Sequence, residues 1–257
     1  MGRVYVVDQN YINDSDEDGA IVLYLLKTYT TRYCDRYVVR KEEDSLPELK
    51  YAPSKIIPIG GNDYVDRWLQ KYQHTTLKSL EIPEIFRSNR KFMARDYDIK
   101  QGKDIEPRYL NGKEWFVKDI TKPKLWNSLL YDGDLSQYIN PDHTYAISKR
   151  VPIISEWRAF VYKDEVQKCM HYAGDPLCMP TKLIADAVEK YKEDDTRPKA
   201  YTIDAAVREL KNNVCQMLIE MHPFVACGLY GFCDPVILDM WEAGYDWCCD
   251  AVTQKVA

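Results

Sequence analysis

The stretch that most constrains the fold is a pair of apolar, β-rich segments near the C-terminus. These segments, Ala200 to Val207 and Val214 to Met221, are separated by the polar segment Glu209 to Asn213. Two such runs joined by a short polar connection predict an antiparallel hairpin.

Three potential metal ligands lie on this predicted hairpin. Asp204 interrupts the first apolar run, and Glu220 and His222 end the second, two residues apart. Residues two apart in an extended strand project to the same face of a sheet. Because isolated charges resist transfer into a protein interior, clustered carboxylates in apolar strands predict a bound divalent cation.

Overall charge and hydropathy exclude some classes of protein. The 257 residues carry a formal net charge of −5, and the sequence pI is about 5.5, so no global basic field favours nucleic acid. No segment approaches the roughly 20 consecutive apolar residues that a membrane span needs. We therefore expect a cytoplasmic protein without membrane contact, for which nucleic acid is an unfavoured partner.

The first third of the chain alternates between strand and helix patterns. Predicted strands cover Arg3 to Asp8, Arg36 to Val39 and Lys55 to Ile59, and predicted helices cover Ala20 to Tyr33 and Asp63 to Tyr72. This alternation is typical of a small parallel α/β unit. The segment DQNYINDSDEDG after the first strand is interpreted as a turn that ends in a helix N-cap.

Basic side chains in the middle of the chain have two interpretations each. The segment FRSNRKFMARDYDIKQGK either contacts an anionic substrate or forms the solvated face of a helix. Lys118 ends the predicted strand Trp115 to Lys118, where it either holds a nucleotide phosphate or extends to water. A further strand is predicted from Tyr145 to Lys149.

Alternation in the next predicted strand places Glu156 and Arg158 on one face. The guanidinium either makes a bidentate contact with a phosphate or carboxylate ligand, or it forms a cross-strand Glu–Arg pair without a ligand. Helices are predicted from Thr181 to Lys192, capped by Thr181, and from Asp234 to Cys249, with Asp234 as N-cap.

Four short segments in this order, EWRAFVY, YTIDAAV, IEMHPF and GLYGF, resemble the ATP-grasp superfamily, in particular the clade named for two arginines and one lysine. The resemblance covers the chain from about Phe86 to the C-terminus. It implies an α/β (α+β) fold with two ATP-grasp subdomains built from mixed or antiparallel sheets and helices. The expected boundaries are a parallel α/β pre-ATP-grasp domain at 1–84, an N-subdomain at 85–147 and a C-subdomain at 148–257.

The resemblance also implies roles for individual residues in binding ATP. Lys118 matches the nucleotide-binding lysine of the N-subdomain and, with Arg158, is expected to act in catalysis. Ser148 to Val151, including Lys149, matches the hinge that lines the adenine pocket. Glu156 and Arg158 match an acidic and basic pair that faces ribose, phosphates or the acylphosphate.

The same alignment places Asp204, Glu220 and His222 at the three metal-ligand positions, where Mg²⁺ is expected. The superfamily usually has asparagine where this chain has His222. Magnesium prefers oxygen ligands, and imidazole nitrogen suits softer metals. Three roles for His222 therefore stay open: contact with a phosphate oxygen, direct ligation with Mn²⁺ tolerated, or packing within a loop.

Three basic residues further upstream complete the implied site. Lys91 matches the first nucleotide lysine, and Arg90 and Arg95 are alternatives for the second arginine of the clade. The implied activity is an ATP-dependent, ADP-forming carboxylate–amine ligase that proceeds through an acylphosphate. Its partners would be ATP, an amino-acid, peptide or protein carboxylate and an amine acceptor. The alternatives are a nucleotide-binding module without turnover and a ligase that modifies nucleic acid.

Overall fold

The computed structural model describes residues 3–14, 16–33, 36–40, 55–77, 81–121, 124–210 and 213–253. The described strands form three sheets. They are β1 (Val4–Asp8), β2 (Arg36–Arg40), β3 (Ile56–Ile59), β4 (Tyr97–Gln101), β5 (Trp115–Asp119), β6 (Trp126–Asn127), β7 (Thr144–Lys149), β8 (Ile153–Tyr162), β9 (Glu165–Gly174), β10 (Ala200–Leu210) and β11 (Asn213–Pro223).

The described α-helices are α1 (Gln9–Asp14), α2 (Asp16–Tyr33), α3 (Asn62–Gln73), α4 (Glu84–Arg87), α5 (Arg90–Met93), α6 (Thr181–Tyr191) and α7 (Val236–Thr253). Short 3₁₀ turns lie at Gly102–Asp104, Pro107–Leu110 and Ser136–Tyr138. Within the described part of the chain, no helix has both the length and the apolar character that crossing a bilayer requires.

The N-terminal sheet is parallel, with strand order β2-β1-β3, as the strand and helix alternation predicts. The turn expected after β1 was wrong, because α1 starts directly at Gln9 and α2 follows from Asp16. The physical reason is local: the Asp8 carboxylate accepts a hydrogen bond from the backbone N–H of Asn10 at 3.0 Å. That contact satisfies one of the free N–H groups at a helix start, so the polar segment becomes helical.

Two antiparallel four-stranded sheets follow. We call β4-β7-β5-β6 the middle sheet and β11-β10-β8-β9 the C-terminal sheet. The predicted hairpin is present as β10 and β11, and both strands extend beyond the predicted limits. The sequence-based expectation of an α/β (α+β) fold with a parallel N-terminal unit and antiparallel sheets is confirmed.

The C-terminal sheet is covered differently on its two faces. Helix α6 packs its apolar side against residues such as Ile203 and Leu218 on one face. On the other face, Phe160 and Phe224 join a core shared with α7 and the N-terminal unit. Tyr5 on β1 donates a hydrogen bond to Glu242 on α7 at 2.7 Å, which ties the first strand to the last helix.

The caps predicted for the last two helices had different outcomes. Asp234 caps α7 as expected, because its Oδ1 accepts from the N–H of Val236 at 2.9 Å. Thr181 was wrong as a cap, because it is the first residue of α6 and Pro180 occupies the cap position. The N–H of Leu183 in the first turn donates instead to Oε1 of Gln216 on β11 at 3.0 Å.

Candidate active site

Three charged side chains form a row across the C-terminal sheet. Arg158 on β8 lies opposite Asp204 on β10, and Asp204 lies opposite Glu220 on β11. Directly opposed residues of antiparallel strands share a face, and His222 shares it because it is two residues beyond Glu220. One ligand atom from each of Asp204, Glu220 and His222 lies within 4.8 Å of the others. The predicted convergence of the three candidate ligands is therefore present.

Asp204 and Arg158 form a buried bidentate ion pair. Arg158 donates from Nε and Nη2 to the two carboxylate oxygens, each at 2.7 Å. Its Nη1 donates to the carbonyl of Gly228 at 3.2 Å, and its guanidinium lies 4.9 Å from the ring centre of Tyr230. Burial alone would lower the pKa of Arg158, but the paired Asp204 carboxylate outweighs it and raises that pKa. The guanidinium of Arg158 is therefore charged throughout the physiological range.

Glu220 is shared between the two antiparallel sheets. Its Oε1 accepts from the ammonium of Lys118, which projects from β5 of the middle sheet. Lys118 also lies 3.4 Å from the carboxylate of Glu81. On the other side, Oε2 of Glu220 lies 2.9 Å from Nε2 of His222. One carboxylate therefore contacts a cation from the opposite sheet and an imidazole from its own strand.

His222 is neutral at physiological pH. Burial disfavours the imidazolium and, with the nearby cations Arg158 and Lys118, lowers the pKa of His222 to about 4, although Asp204 acts in the opposite direction. The contact with Glu220 is therefore a hydrogen bond and not an ion pair. In the tautomer with the proton on Nε2, His222 donates this hydrogen bond to the carboxylate of Glu220.

The row opens into a cavity of about 1050 Å³ between the middle and C-terminal sheets. The N-terminal unit contributes Asp18, Asn62 and Leu77 to its wall. Asp18 also accepts a hydrogen bond from the N–H of Leu229 at 3.0 Å, in the loop that carries Gly228 and Tyr230. The cavity is large enough for a nucleotide and a second substrate.

The predicted hinge lies on this cavity. Ser148, Lys149 and Val151 line it, together with Arg150 between them. Lys149 forms an ion pair with Glu114 at 2.6 Å. Arg150 donates to the carbonyls of residues 128, 129 and 131, which holds the loop after β6 beside the cavity mouth.

Glu156 also lines the cavity, but it does not pair with Arg158. Its Oε2 accepts from the hydroxyl of Tyr172 at 2.9 Å, and the ring of Tyr172 stacks on Tyr230 with centroids 5.0 Å apart. The predicted alternative of a cross-strand Glu–Arg pair was wrong, because the carboxylate directly opposite Arg158 belongs to Asp204. Arg158, Tyr230, Tyr172 and Glu156 thus form one continuous wall.

The upstream basic residues separate into two groups. Lys91 lies away from the cavity lining, and its ammonium pairs with Asp186 on α6 at 2.9 Å. Arg90 is largely exposed and pairs with Asp96 at 3.3 Å. Arg95, the alternative that sequence reasoning left open, does line the cavity. Burial lowers the pKa of Arg95 to about 10, so its guanidinium is still protonated at neutral pH.

Arg95 holds an irregular point in the hairpin. The register between β10 and β11 shifts after Asp204, so that Ile219 has no partner across the strand. Arg95 donates to the carbonyl of Leu218 at 2.7 Å and to that of Ile219 at 3.3 Å. These contacts fix the backbone immediately before Glu220.

Sequence reasoning missed Glu81 and Tyr172. Glu81 lies in the connection before α4, where no periodic pattern exists, and it reaches Lys118 only because the middle sheet lies over that connection. Tyr172 is one of 20 tyrosines, and only the pairing of β8 with β9 places it beside Glu156.

Comparison with known sequences identifies the family. The sequence profile of the ATP-grasp domain, family 2 of the clade named for two arginines and one lysine, matches residues 92–240, which is more than half of the chain. The chain belongs to this family. The matched region contains Lys118, Arg158, Asp204, Glu220 and His222. A search of curated protein sequences found no match.

Solved structures of ATP-grasp ligases share the fold of this ATP-grasp chain. D-alanine–D-alanine ligase from Bacillus anthracis is 12% identical with a TM-score of 0.53, and the match covers 100% of both chains. D-alanyl-alanine synthetase A from Vibrio cholerae is 11% identical with a TM-score of 0.54, covering 95% of this chain and 99% of the other. The ligase from Coxiella burnetii is 11% identical with a TM-score of 0.52, covering 99% and 97%. At these identities the likeness shows the ATP-grasp fold.

Proposed function

We propose that this chain is an ATP-dependent, ADP-forming carboxylate–amine ligase that works through an acylphosphate. The observation that carries the proposal is the row of Arg158, Asp204 and Glu220 in one cavity, where Lys118 from the opposite sheet contacts Glu220. In this arrangement, the cations Lys118 and Arg158 can bind phosphate oxygens, and the carboxylates of Asp204 and Glu220 can bind a metal ion that also contacts the phosphates. Belonging to the ATP-grasp family supports ATP as the nucleotide.

The donor set fits a hard divalent cation. Asp204 and Glu220 offer carboxylate oxygens, which Mg²⁺ prefers. In the tautomer in which His222 donates its Nε2 proton to Glu220, 2.9 Å away, that nitrogen has no lone pair for a metal. We therefore assign the two carboxylates as metal ligands and His222 as the residue that orients Glu220, which replaces the direct ligation considered from the sequence.

Within this proposal, the residues of the chain act mainly through electrostatics. Bound Mg²⁺ would offset charge on the ATP phosphates. Lys118 and Arg158 would hold phosphoryl oxygens as negative charge shifts during transfer. The adenine base of ATP would bind in the part of the cavity that is lined by Ser148, Lys149 and Val151.

The proposed reaction has two balanced steps. A carboxylate oxygen of the substrate forms a bond to the γ-phosphorus of ATP, and the bond from that phosphorus to the bridging oxygen breaks, which releases ADP. The amine then attacks the acyl carbon, phosphate leaves with the electron pair, and the amine proton passes to solvent. A neutral amine needs no dedicated general base.

The wall formed by Glu156, Tyr172, Tyr230 and Arg158 borders the region next to the row, where we place the acceptor. Aromatic rings and one carboxylate there suit an amine attached to an amino acid or peptide. D-Alanine is the substrate named for the fold neighbours, so a single amino acid is the simplest substrate to test first.

The test combines ADP release with trapping of the activated carboxylate. Purified protein is incubated with ATP, Mg²⁺ and a panel of amino acids and short peptides, and hydroxylamine is supplied as a small nucleophile. We expect at least one carboxylate to give equal amounts of ADP and hydroxamate. In Glu220→Gln, both products should disappear.

Two outcomes would contradict this account in different ways. Tight ATP binding in calorimetry without ADP or hydroxamate from any carboxylate would favour a nucleotide-binding module. Undiminished ADP formation by Glu220→Gln would contradict the assignment of Glu220 as a metal ligand.

A further inference from the structure

Tyr230 has a backbone conformation that tyrosine rarely adopts. Its φ angle is +51°, and that of Gly231 is +83°. Both are central residues of a turn in which the N–H of Phe232 donates to the carbonyl of Leu229 at 2.9 Å. A turn with positive φ at both central positions normally has glycine, asparagine or aspartate at the first of them. A bulky residue there is strained, and such strain persists only where the surrounding contacts hold it.

We call residues 226–232, which contain this turn, the Tyr230 loop. The side chains of Leu229 and Phe232, before and after the two central residues, are buried in the core that α7 shares with the N-terminal unit. The ring of Tyr230 lies instead on the wall of the large cavity between the two antiparallel sheets, and the residue is 39% exposed. The strained residue is therefore one that a ligand in the cavity can contact.

Contacts with the C-terminal sheet hold one side of the Tyr230 loop. Arg158 donates to the carbonyl of Gly228 at 3.2 Å, and its guanidinium lies 4.9 Å from the ring centre of Tyr230. The same ring stacks on Tyr172, with centroids 5.0 Å apart. These contacts fix the ring and the carbonyl of Gly228, but they do not involve the backbone N–H of Leu229.

Asp18 on α2 supplies the acceptor for that N–H. Its Oδ2 accepts from the N–H of Leu229 at 3.0 Å. Because Leu229 is fully buried, an N–H there without an acceptor would cost about as much as one residue held in a strained backbone conformation. Loss of the Asp18 contact is therefore large enough to let the turn relax, and the ring of Tyr230 would move with it.

Asp18 belongs to the N-terminal unit and also lines the large cavity. Its hydrogen bond to Leu229 joins residues 211 positions apart in the sequence. The preceding residue, Glu17, lies beside the second half of the turn, because a Cβ on Gly231 would be 3.1 Å from Oε1 of Glu17. The start of α2 therefore packs directly against the strained turn.

We propose that Asp18 is a positioning residue for the amine acceptor. Its carboxylate holds the strained turn, and the turn holds the ring of Tyr230 against Arg158 and Tyr172, where the acceptor binds. The identity of the ligand as an amine acceptor rests on the proposed ligase function, whereas the contact between Asp18 and the turn does not. The N-terminal unit thereby completes the acceptor side of the site.

Hydrogen exchange of the Leu229 amide, followed by NMR, tests the contact without any ligand. In the wild type, this amide should exchange about tenfold or more slowly than an unprotected amide. Asp18→Ala should speed the exchange about tenfold or more, because a hydrogen bond to a charged group is lost. Asp18→Asn keeps an oxygen that can accept, so its exchange should stay within about threefold of the wild type. The control Asp63→Ala removes an exposed carboxylate of the same unit, outside the cavity lining, and should leave the exchange unchanged.

Steady-state kinetics with the same variants tests the role in acceptor binding. Asp18→Ala should raise the KM for the amine acceptor about tenfold or more, while the KM for ATP stays within about threefold of the wild type. Hydroxylamine is too small to need the ring of Tyr230, so hydroxamate formation by Asp18→Ala at saturating hydroxylamine should also stay within about threefold. A general loss of folded enzyme would instead lower the formation of amide and hydroxamate alike.

The proposal is overturned if the Leu229 amide of the wild type exchanges at the rate of an unprotected amide, or if Asp18→Ala exchanges like the wild type. It is also overturned if Asp18→Ala leaves the KM for the amine unchanged, if it lowers amide and hydroxamate formation equally, or if Asp18→Asn loses as much as Asp18→Ala. Failure of the proposed function gives a different result: the wild type itself forms neither ADP nor hydroxamate, and the exchange experiment still decides whether Asp18 holds the turn.

Discussion

The two carboxylates of the candidate metal site are held in different ways. Asp204 and Arg158 come from adjacent strands of one sheet, and their side chains are 4% and 8% exposed. Glu220 and Lys118 come from different sheets, and their side chains are 26% and 17% exposed. The Asp204 pair is therefore part of a rigid core, whereas the Glu220 pair depends on how the two sheets sit across the cavity.

Because of this difference, we expect the two ion pairs to contribute unequally to the stability of the fold and to ligand binding. A buried ion pair that loses one partner leaves an uncompensated charge, which destabilises the fold strongly. A partly exposed pair is screened by water and contributes little to stability. We therefore expect Arg158 to matter for folding and catalysis, and Lys118 to matter mainly for the ligand.

The largest expected effect comes from Arg158→Met, which leaves Asp204 buried and unpaired. We expect the free energy of unfolding to fall by about 3–5 kcal/mol, measured by urea denaturation. The double variant Arg158→Met with Asp204→Leu should recover part of this loss, because no orphan charge remains. A loss below about 1 kcal/mol in the single variant would contradict the role assigned to the buried pair.

Arg95→Met should have the next largest effect. It removes the donor to the carbonyls of Leu218 and Ile219 at the irregular point before Glu220. We expect a loss of about 1–3 kcal/mol in urea denaturation. Arg90→Met, an exposed neighbour in the same segment, should stay within about 0.5 kcal/mol of the wild type. Equal losses in the two variants would mean that Arg95 does not hold the hairpin.

Lys118→Met tests the less rigid side of the comparison. Its effect on stability should be below about 1 kcal/mol, because both members of the pair are partly exposed. ATP affinity in calorimetry should nevertheless fall about tenfold or more, because a charged contact with phosphate is lost. Lys91→Met serves as control and should leave ATP affinity unchanged, since Lys91 pairs with Asp186 away from the cavity. If both variants lowered the affinity for ATP equally, Lys91 would also belong to the nucleotide site.

The smallest expected effect is that of His222→Asn on turnover. Asparagine can also donate a hydrogen bond to Glu220, so the rate of ADP release should stay within about threefold of the wild type. His222→Ala cannot donate and should lose about tenfold. Equal inactivation of the two variants would indicate that the imidazole nitrogen itself binds the metal.

Local patterns in the sequence predict the hairpin well. The alternation of apolar residues and the polar connection are properties of neighbouring residues, so β10 and β11 and the shared face of Glu220 and His222 follow from them. The ATP-grasp fold also follows, because several short segments occur in a recognisable order. The helix at Gln9–Asp14 was missed because the Asp8 carboxylate, and not apolar periodicity, starts it.

Contacts between distant segments were not predictable in the same way. The pair of Arg158 and Asp204 joins residues 46 apart, and it depends on β8 lying beside β10. The contact between Lys118 and Glu220 depends on how two sheets pack, and no periodicity describes that packing. Arg95 and Arg90 are equivalent in sequence, and only their burial tells them apart.

The most direct test of the account is a crystal structure with Mn²⁺ and a non-hydrolysable ATP analogue, read by the anomalous signal of manganese. We predict a peak between the carboxylates of Asp204 and Glu220, at a bonding distance of about 2.0–2.3 Å from oxygen atoms of both. Lys118 and Arg158 should lie next to the phosphates of the analogue. A manganese peak away from these carboxylates, or an analogue bound outside the large cavity, would contradict the proposed active site.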